Sequence, residues 1–75
     1  MQEIDYIDRL VNMRIDRDFT QKQIAAVLSK SQQGYDHIEK RRARLSIEDF
    51  MHLCEFYNVV PGYFLGYEAE PKQLS

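Results

Sequence analysis

The stretch that decides the fold runs from Phe19 to Glu39, FTQKQIAAVLSKSQQGYDHIE, and holds two helix-start patterns in succession. Thr20 is placed to cap a helix, Gln23 three positions on completes a capping box, and Phe19 and Ile24 occupy the two positions of a hydrophobic staple. The pattern breaks at Leu28-Ser29-Lys30-Ser31, where Ser31 can cap a new helix by accepting from the amides that its first turn leaves unpaired. The segment that follows, QQGYDHIEK, turns Tyr35 and Ile38 inward and directs Gln32, Gln33, Asp36 and His37 elsewhere. Two short helices joined by a tight turn, the second with a polar outer face, form the arrangement that lets a helix enter the DNA major groove.

Working outward, Ile4, Ile7, Leu10 and Val11, followed by Met13 and Ile15, recur at three- and four-residue steps, predicting a first helix over about 3–16. Downstream, Ser46 repeats the capping logic, with Asp49 in the first turn and Leu45 facing Phe50. Ile47, Phe50, Met51, Cys54 and Tyr57 then continue at helical spacing, predicting a helix over about 47–57. Asn58 suits the left-handed position that ends a helix, Pro61 the first position of the next one, and Gly66 its close. The most strand-like run, Tyr57 to Val60, is interrupted by Asn58 and halted by Pro61. The expected class is all-α: a five-helix bundle with a helix-turn-helix at helices 2 and 3.

Seventy-five residues, 44% of them hydrophobic, have room for one core, so residues 1–75 are expected to form a single domain with a tail at 67–75. The one cysteine, Cys54, cannot close an intramolecular disulfide, and with two histidines it offers no zinc-finger spacing. His52 and Cys54 stand two apart, on different faces of the fourth helix, so Cys54 is assigned to the core and no metal or cofactor is expected. No Gly-rich phosphate loop, paired carboxylates or activated nucleophile is apparent, which excludes an enzyme and leaves no small-molecule site. The opening MQEIDYIDRL alternates apolar and acidic residues, so it forms neither a secretory signal nor a membrane span, and a cytoplasmic location is expected.

The residues Phe19-Thr20-Gln21, Ile24-Ala25, Leu28, Ser31-Gln32-Gln33, Ile38-Glu39, Leu53 and Val59-Val60-Pro61 through Phe64-Leu65-Gly66 together resemble the lambda repressor/Cro-like helix-turn-helix domain of the XRE family. The resemblance covers about residues 7–66 and implies a bacterial or phage regulator that binds a double-stranded DNA operator, as a homodimer on DNA. Within it, Gln21 opens the second helix beside the DNA backbone, Ala25 lets the two helices approach, and Glu39 closes the recognition helix. The family commonly pairs that glutamate with an arginine of the first helix, and Arg14 occupies the matching position as a structural salt bridge. Ser31-Gln32-Gln33 is similar to the start of phage repressor recognition helices, where the glutamine amide, donor and acceptor at once, matches adenine N6 and N7.

Gln32, Gln33 and His37 are therefore the expected base readers, with Gln21, Lys30, Ser31, Arg42 and Arg44 on phosphates. His37 stays open between a DNA contact and solvent, and Asp36 between accepting from a cytosine amine and pointing away from the backbone. Three positions depart from the family pattern. Ser29 and Arg41 stand where glycine is usual, and Gly34 lies inside the recognition helix at a cost of about 1 kcal/mol relative to alanine.

The formal net charge is -2, but residues 14–44 hold eight cations against four acids. Residues 45–75 hold five acids against Lys72 alone, which places that end away from DNA. The positive excess lies on the helix-turn-helix and on the run KRRAR (Lys40 to Arg44) that follows it, as phosphate contacts require. Tyr57, Tyr63, Phe64 and Tyr67 make the C-terminal end aromatic beyond what a core this size hides, giving Tyr63 and Tyr67 as expected dimer contacts. The alternative reading keeps the scaffold and uses that surface as a protein-interaction module, antitoxin-like or regulator-binding.

Overall fold

The computed structural model describes residues 5–75, and four of its five helices open on a side-chain oxygen. Asp5 accepts from the Ile7 amide to open α1 (Tyr6–Asp16), and Thr20 from that of Gln23 to open α2 (Gln21–Val27). Ser31 accepts from Gly34 to open α3 (Gln32–Glu39), and Ser46 from Asp49 to open α4 (Ile47–Tyr57). At α2 the capping box is complete, because the Gln23 side chain also accepts from the Thr20 amide at 2.8 Å. The fifth helix, α5 (Pro61–Phe64), opens on proline, whose missing N–H is no loss there. No strand occurs among the described residues.

All five helices end in the same way. The first residue past α4, and the second past each of the others, enters the left-handed region: Asp18, Ser29, Arg41 and Asn58 at φ between 56° and 63°, and Gly66 at 90°. Paired backbone bonds close each end, as in Ser29 N–H to the Ala26 carbonyl and Lys30 N–H to that of Ala25. Ser29 and Arg41 thus adopt the backbone that glycine would, and the turn between α2 and α3 keeps its tight form. Gly34 is an ordinary helical residue; a Cβ there would stand 3.1 Å from the Ser31 hydroxyl oxygen that caps the helix.

The core takes Ile7, Leu10 and Met13 from α1, and Ile24 and Ala25 from α2 with Leu28 at its end. It adds Tyr35 and Ile38 from α3, Phe50, Leu53, Cys54 and Tyr57 from α4, then Val59 and Phe64. Burial pushes the Cys54 thiol up to about 11, so it sits there as a small neutral apolar group. Three apolar expectations are corrected. Ile15 lies off the buried stripe of α1, Ile47 is the first residue of α4 and 70% exposed, and Met51 is exposed on that helix. The start of α1 is corrected from about residue 3 to Tyr6, because Asp5 is extended and caps it; Glu3 and Ile4 lie outside the described residues.

The C-terminal tail folds back on α5: the Val60 amide donates to the Lys72 carbonyl at 2.8 Å. Arg9 binds the same region, donating to the carbonyls of Tyr63 and Glu68 and lying over the Tyr63 ring. No described helix is long and apolar enough to cross a membrane.

Candidate nucleic-acid interface

The face of α3 is held by a polar network that starts at the edge of the core. Arg14 donates from Nε and a terminal nitrogen to the two carboxylate oxygens of Glu39, at 2.7 and 3.1 Å, with the side chains 13% and 9% exposed. The same guanidinium donates to the Phe19 carbonyl at 3.0 Å, tying the end of α1 to the end of α3. Gln21, the first residue of α2, donates from Nε2 to Glu39 Oε1 at 2.9 Å and to Asp36 Oδ1 at 2.8 Å. Both hydrogens of that amide are committed, so in this arrangement the Gln21 side chain has no donor left for the phosphate expected of it.

Outward from this network, Gln32 and Gln33 stand exposed on the first turn of α3, and their amides make no hydrogen bond within the described residues. Gln21, Gln32, Gln33 and Asp36 line one shallow depression. His37 is half-buried, while Tyr35 and Ile38 point into the core as their spacing predicts. The hydrogen bonds and ion pairs of residues 66–75 reach Arg9, Val60, Gly62 and Tyr63, and none covers α3. The tail past α5 thus makes no bond to the helix that carries the glutamine pair.

The cations divide by whether the protein already uses them. Lys40 pairs with Asp36 at 2.9 Å, and Arg41 reaches back to Asp5 and Asp8 at the start of α1. Lys30 meets Asp49 at 3.3 Å, pinning the turn to α4 while leaving two of its three donors. Lys22, Arg42 and Arg44 are exposed and make no ion pair or side-chain hydrogen bond among the described residues. Half of the KRRAR run is therefore spent on holding α3 and α1 in place. Of the expected dimer contacts, Tyr63 packs under Arg9 and against Phe64, and Tyr67 is 84% exposed.

A sequence profile described as helix-turn-helix matches residues 10–64, most of the chain and the span from α1 to the end of α5. The chain belongs to the Cro/C1-type helix-turn-helix family. Neither a search of curated proteins nor a search of solved structures returns a match. Membership makes α2 and α3 the helix-turn-helix pair of a DNA-binding domain with the all-α, lambda repressor-like fold, and the family is not an enzymatic one.

Sequence reasoning about this helix-turn-helix domain missed two partners and one cation. The Gln21–Asp36 bond spans fifteen positions between two helices, which no periodicity reports, whereas the Asp36–Lys40 pair follows the four-residue rule. Lys22 went unselected because a lone lysine on an outer helix face reads as ordinary solvated surface. The network also sets an acid limit. Burial alone would raise the Glu39 carboxyl, but the bonds from Arg14, Tyr35 and Gln21 outweigh it and hold it below the ordinary 4.5. A depressed folded-state value stabilises the fold above about pH 4.5, and that contribution is lost as pH falls through the folded value. Thermal melts between pH 6 and pH 2.5 are expected to show the midpoint falling at the acid end, and Glu39→Gln to flatten that fall.

Proposed function

We propose that this helix-turn-helix domain is a sequence-specific reader of double-stranded DNA that lays α3 in the major groove and regulates transcription, by repression where its site overlaps a promoter. The reading is carried by one observation: Gln32 and Gln33 project uncommitted amides from the first turn of α3, on a helix braced from within by Glu39. Each amide can donate to and accept from one adenine edge, a pairing worth about 1–3 kcal/mol of discrimination. His37, one turn further on, is the third proposed base contact, and the exposed Lys22, Lys30, Arg42 and Arg44 with the Ser31 hydroxyl are the proposed phosphate contacts. One short helix reads too few base pairs for a specific site, so two copies on a pseudo-palindrome complete the proposal, with Tyr67 at the contact.

Selection from a pool of random duplexes, followed by a salt titration on the selected site and on an unrelated one, tests this. A recurring two-fold sequence bound more tightly than the unrelated duplex is the expected result. Equal binding to both would end the reading. Gln33→Ala is expected to cost about tenfold, or 1.4 kcal/mol, in preference at one position of each half-site and to leave the other positions as they are. The second reading, a protein-interaction module, is favoured by the apolar groove that Tyr6, Leu45, Ile47, Phe50 and Leu65 line away from α3. It predicts that no duplex is enriched at any salt concentration.

A further inference from the structure

Asp36 shares the face of α3 with the glutamines, yet it carries the charge that DNA repels. It stands four and three positions after Gln32 and Gln33, lines the same depression, and is 24% exposed. Its carboxylate is held at both oxygens: Oδ1 accepts from Gln21 Nε2 at 2.8 Å, and Oδ2 faces Lys40 Nζ at 2.9 Å. Gln21 is itself fixed by its second bond to Glu39, which is clamped by Arg14. A chain of contacts therefore runs from the part-buried Arg14–Glu39 pair to this one surface carboxylate, and Lys40 balances its charge.

Each carboxylate oxygen offers two lone-pair directions. With one direction of each taken inside the protein, what Asp36 shows to a partner is two acceptor positions and no donor. In the major groove, cytosine presents the N4 amine, a donor with no acceptor beside it on the same base. Adenine sets N7, an acceptor, next to its N6 amine, and guanine and thymine present acceptors at the corresponding places. A fixed, acceptor-only group suits the first best, meets a donor and an acceptor side by side at adenine, and is repelled by guanine and thymine.

We propose that Asp36 is a specificity residue that selects cytosine at the step beyond those read by Gln32 and Gln33, and that Gln21 is its positioning residue. The inference rests on the reading above that α3 lies in the major groove. Its test is selection from random duplexes with the intact chain and with Asp36→Asn, Asp36→Ala and Gln21→Ala, each first checked for helical content and cooperative melting. The unaltered protein is expected to enrich a C·G pair at a fixed step beside the glutamine-read positions, by about tenfold over other pairs. Asp36→Asn, which keeps the size and the acceptor for Gln21, should shift that one column toward A·T, and Asp36→Ala should erase it. Gln21→Ala should weaken the cytosine preference severalfold while leaving binding to an unrelated duplex as it is, whereas loss of an uncharged phosphate contact would weaken binding to every duplex alike. An unchanged column in both Asp36 variants overturns the inference while leaving the major-groove reading intact, and an equal loss on every duplex in Gln21→Ala overturns the positioning role. If no duplex is enriched by the unaltered chain, the inference and the major-groove reading fall together.

Discussion

Replacing Glu39 by alanine is expected to lower the stability of the domain by about 3 kcal/mol, the lower end of the cost of breaking a buried ion pair, because the two side chains keep 13% and 9% exposure. The Arg14 guanidinium would keep only the Phe19 carbonyl, and Gln21 and Tyr35 would each lose an acceptor as well. For a chain of this length, 1 kcal/mol corresponds to about 4–8 °C in midpoint, so the melting temperature should fall by at least about 12 °C. Folded domains hold only about 5–15 kcal/mol in all, which puts the variant near the edge of folding. Glu39→Gln, which keeps both an acceptor and the shape, should lose less. Adding Arg14→Met to Glu39→Ala should recover part of the loss, because the stranded charge is removed with its partner. A midpoint within about 3 °C of the unaltered protein would show that this pair does not hold the helices together.

Removing Arg42 and Arg44 together is expected to weaken binding to every duplex, whatever its sequence. Each phosphate contact contributes about 0.9 to the slope of log affinity against log salt, so losing two should flatten it by about 1.8 and cost roughly 30-fold near 0.15 M salt. Arg41→Ala is the internal control. Its guanidinium is occupied by Asp5 and Asp8, so its removal should leave the slope unchanged although it is the nearest neighbour of Arg42. A double variant with the slope of the unaltered protein would place the phosphate contacts elsewhere, with Lys22 and Lys30 the next to test.

What the sequence discloses and what it hides divide along physical lines. Thr20, Ser31 and Ser46 act through amides three residues away, and Tyr35 and Ile38 through a period fixed by helix geometry, so both kinds of feature are legible in one dimension. The Arg14–Glu39 pair was reachable only through the family resemblance, since its partners are 25 positions apart. Of the pairings that sort the cations, only that of Lys40 with Asp36 follows a spacing rule. Arg41, Arg42 and Arg44 look alike, and only the placement of Asp5 and Asp8 in space separates the occupied from the free. Ile15 and Ile47 misled for the opposite reason, because an apolar side chain at the margin of a stripe satisfies the period without reaching the core.

The left-handed residues that close α1 to α4 bear on how this protein could change. Gly66 takes that backbone freely and Asp18 and Asn58 tolerate it, whereas Ser29 and Arg41 adopt it against the preference of residues with a side chain. A single codon change to glycine at Ser29 would relieve one of those turns without moving either helix beside it. The lineage therefore holds an unspent reserve at its bends, on which a descendant could draw to tolerate destabilising substitutions at the exposed positions 32 and 33.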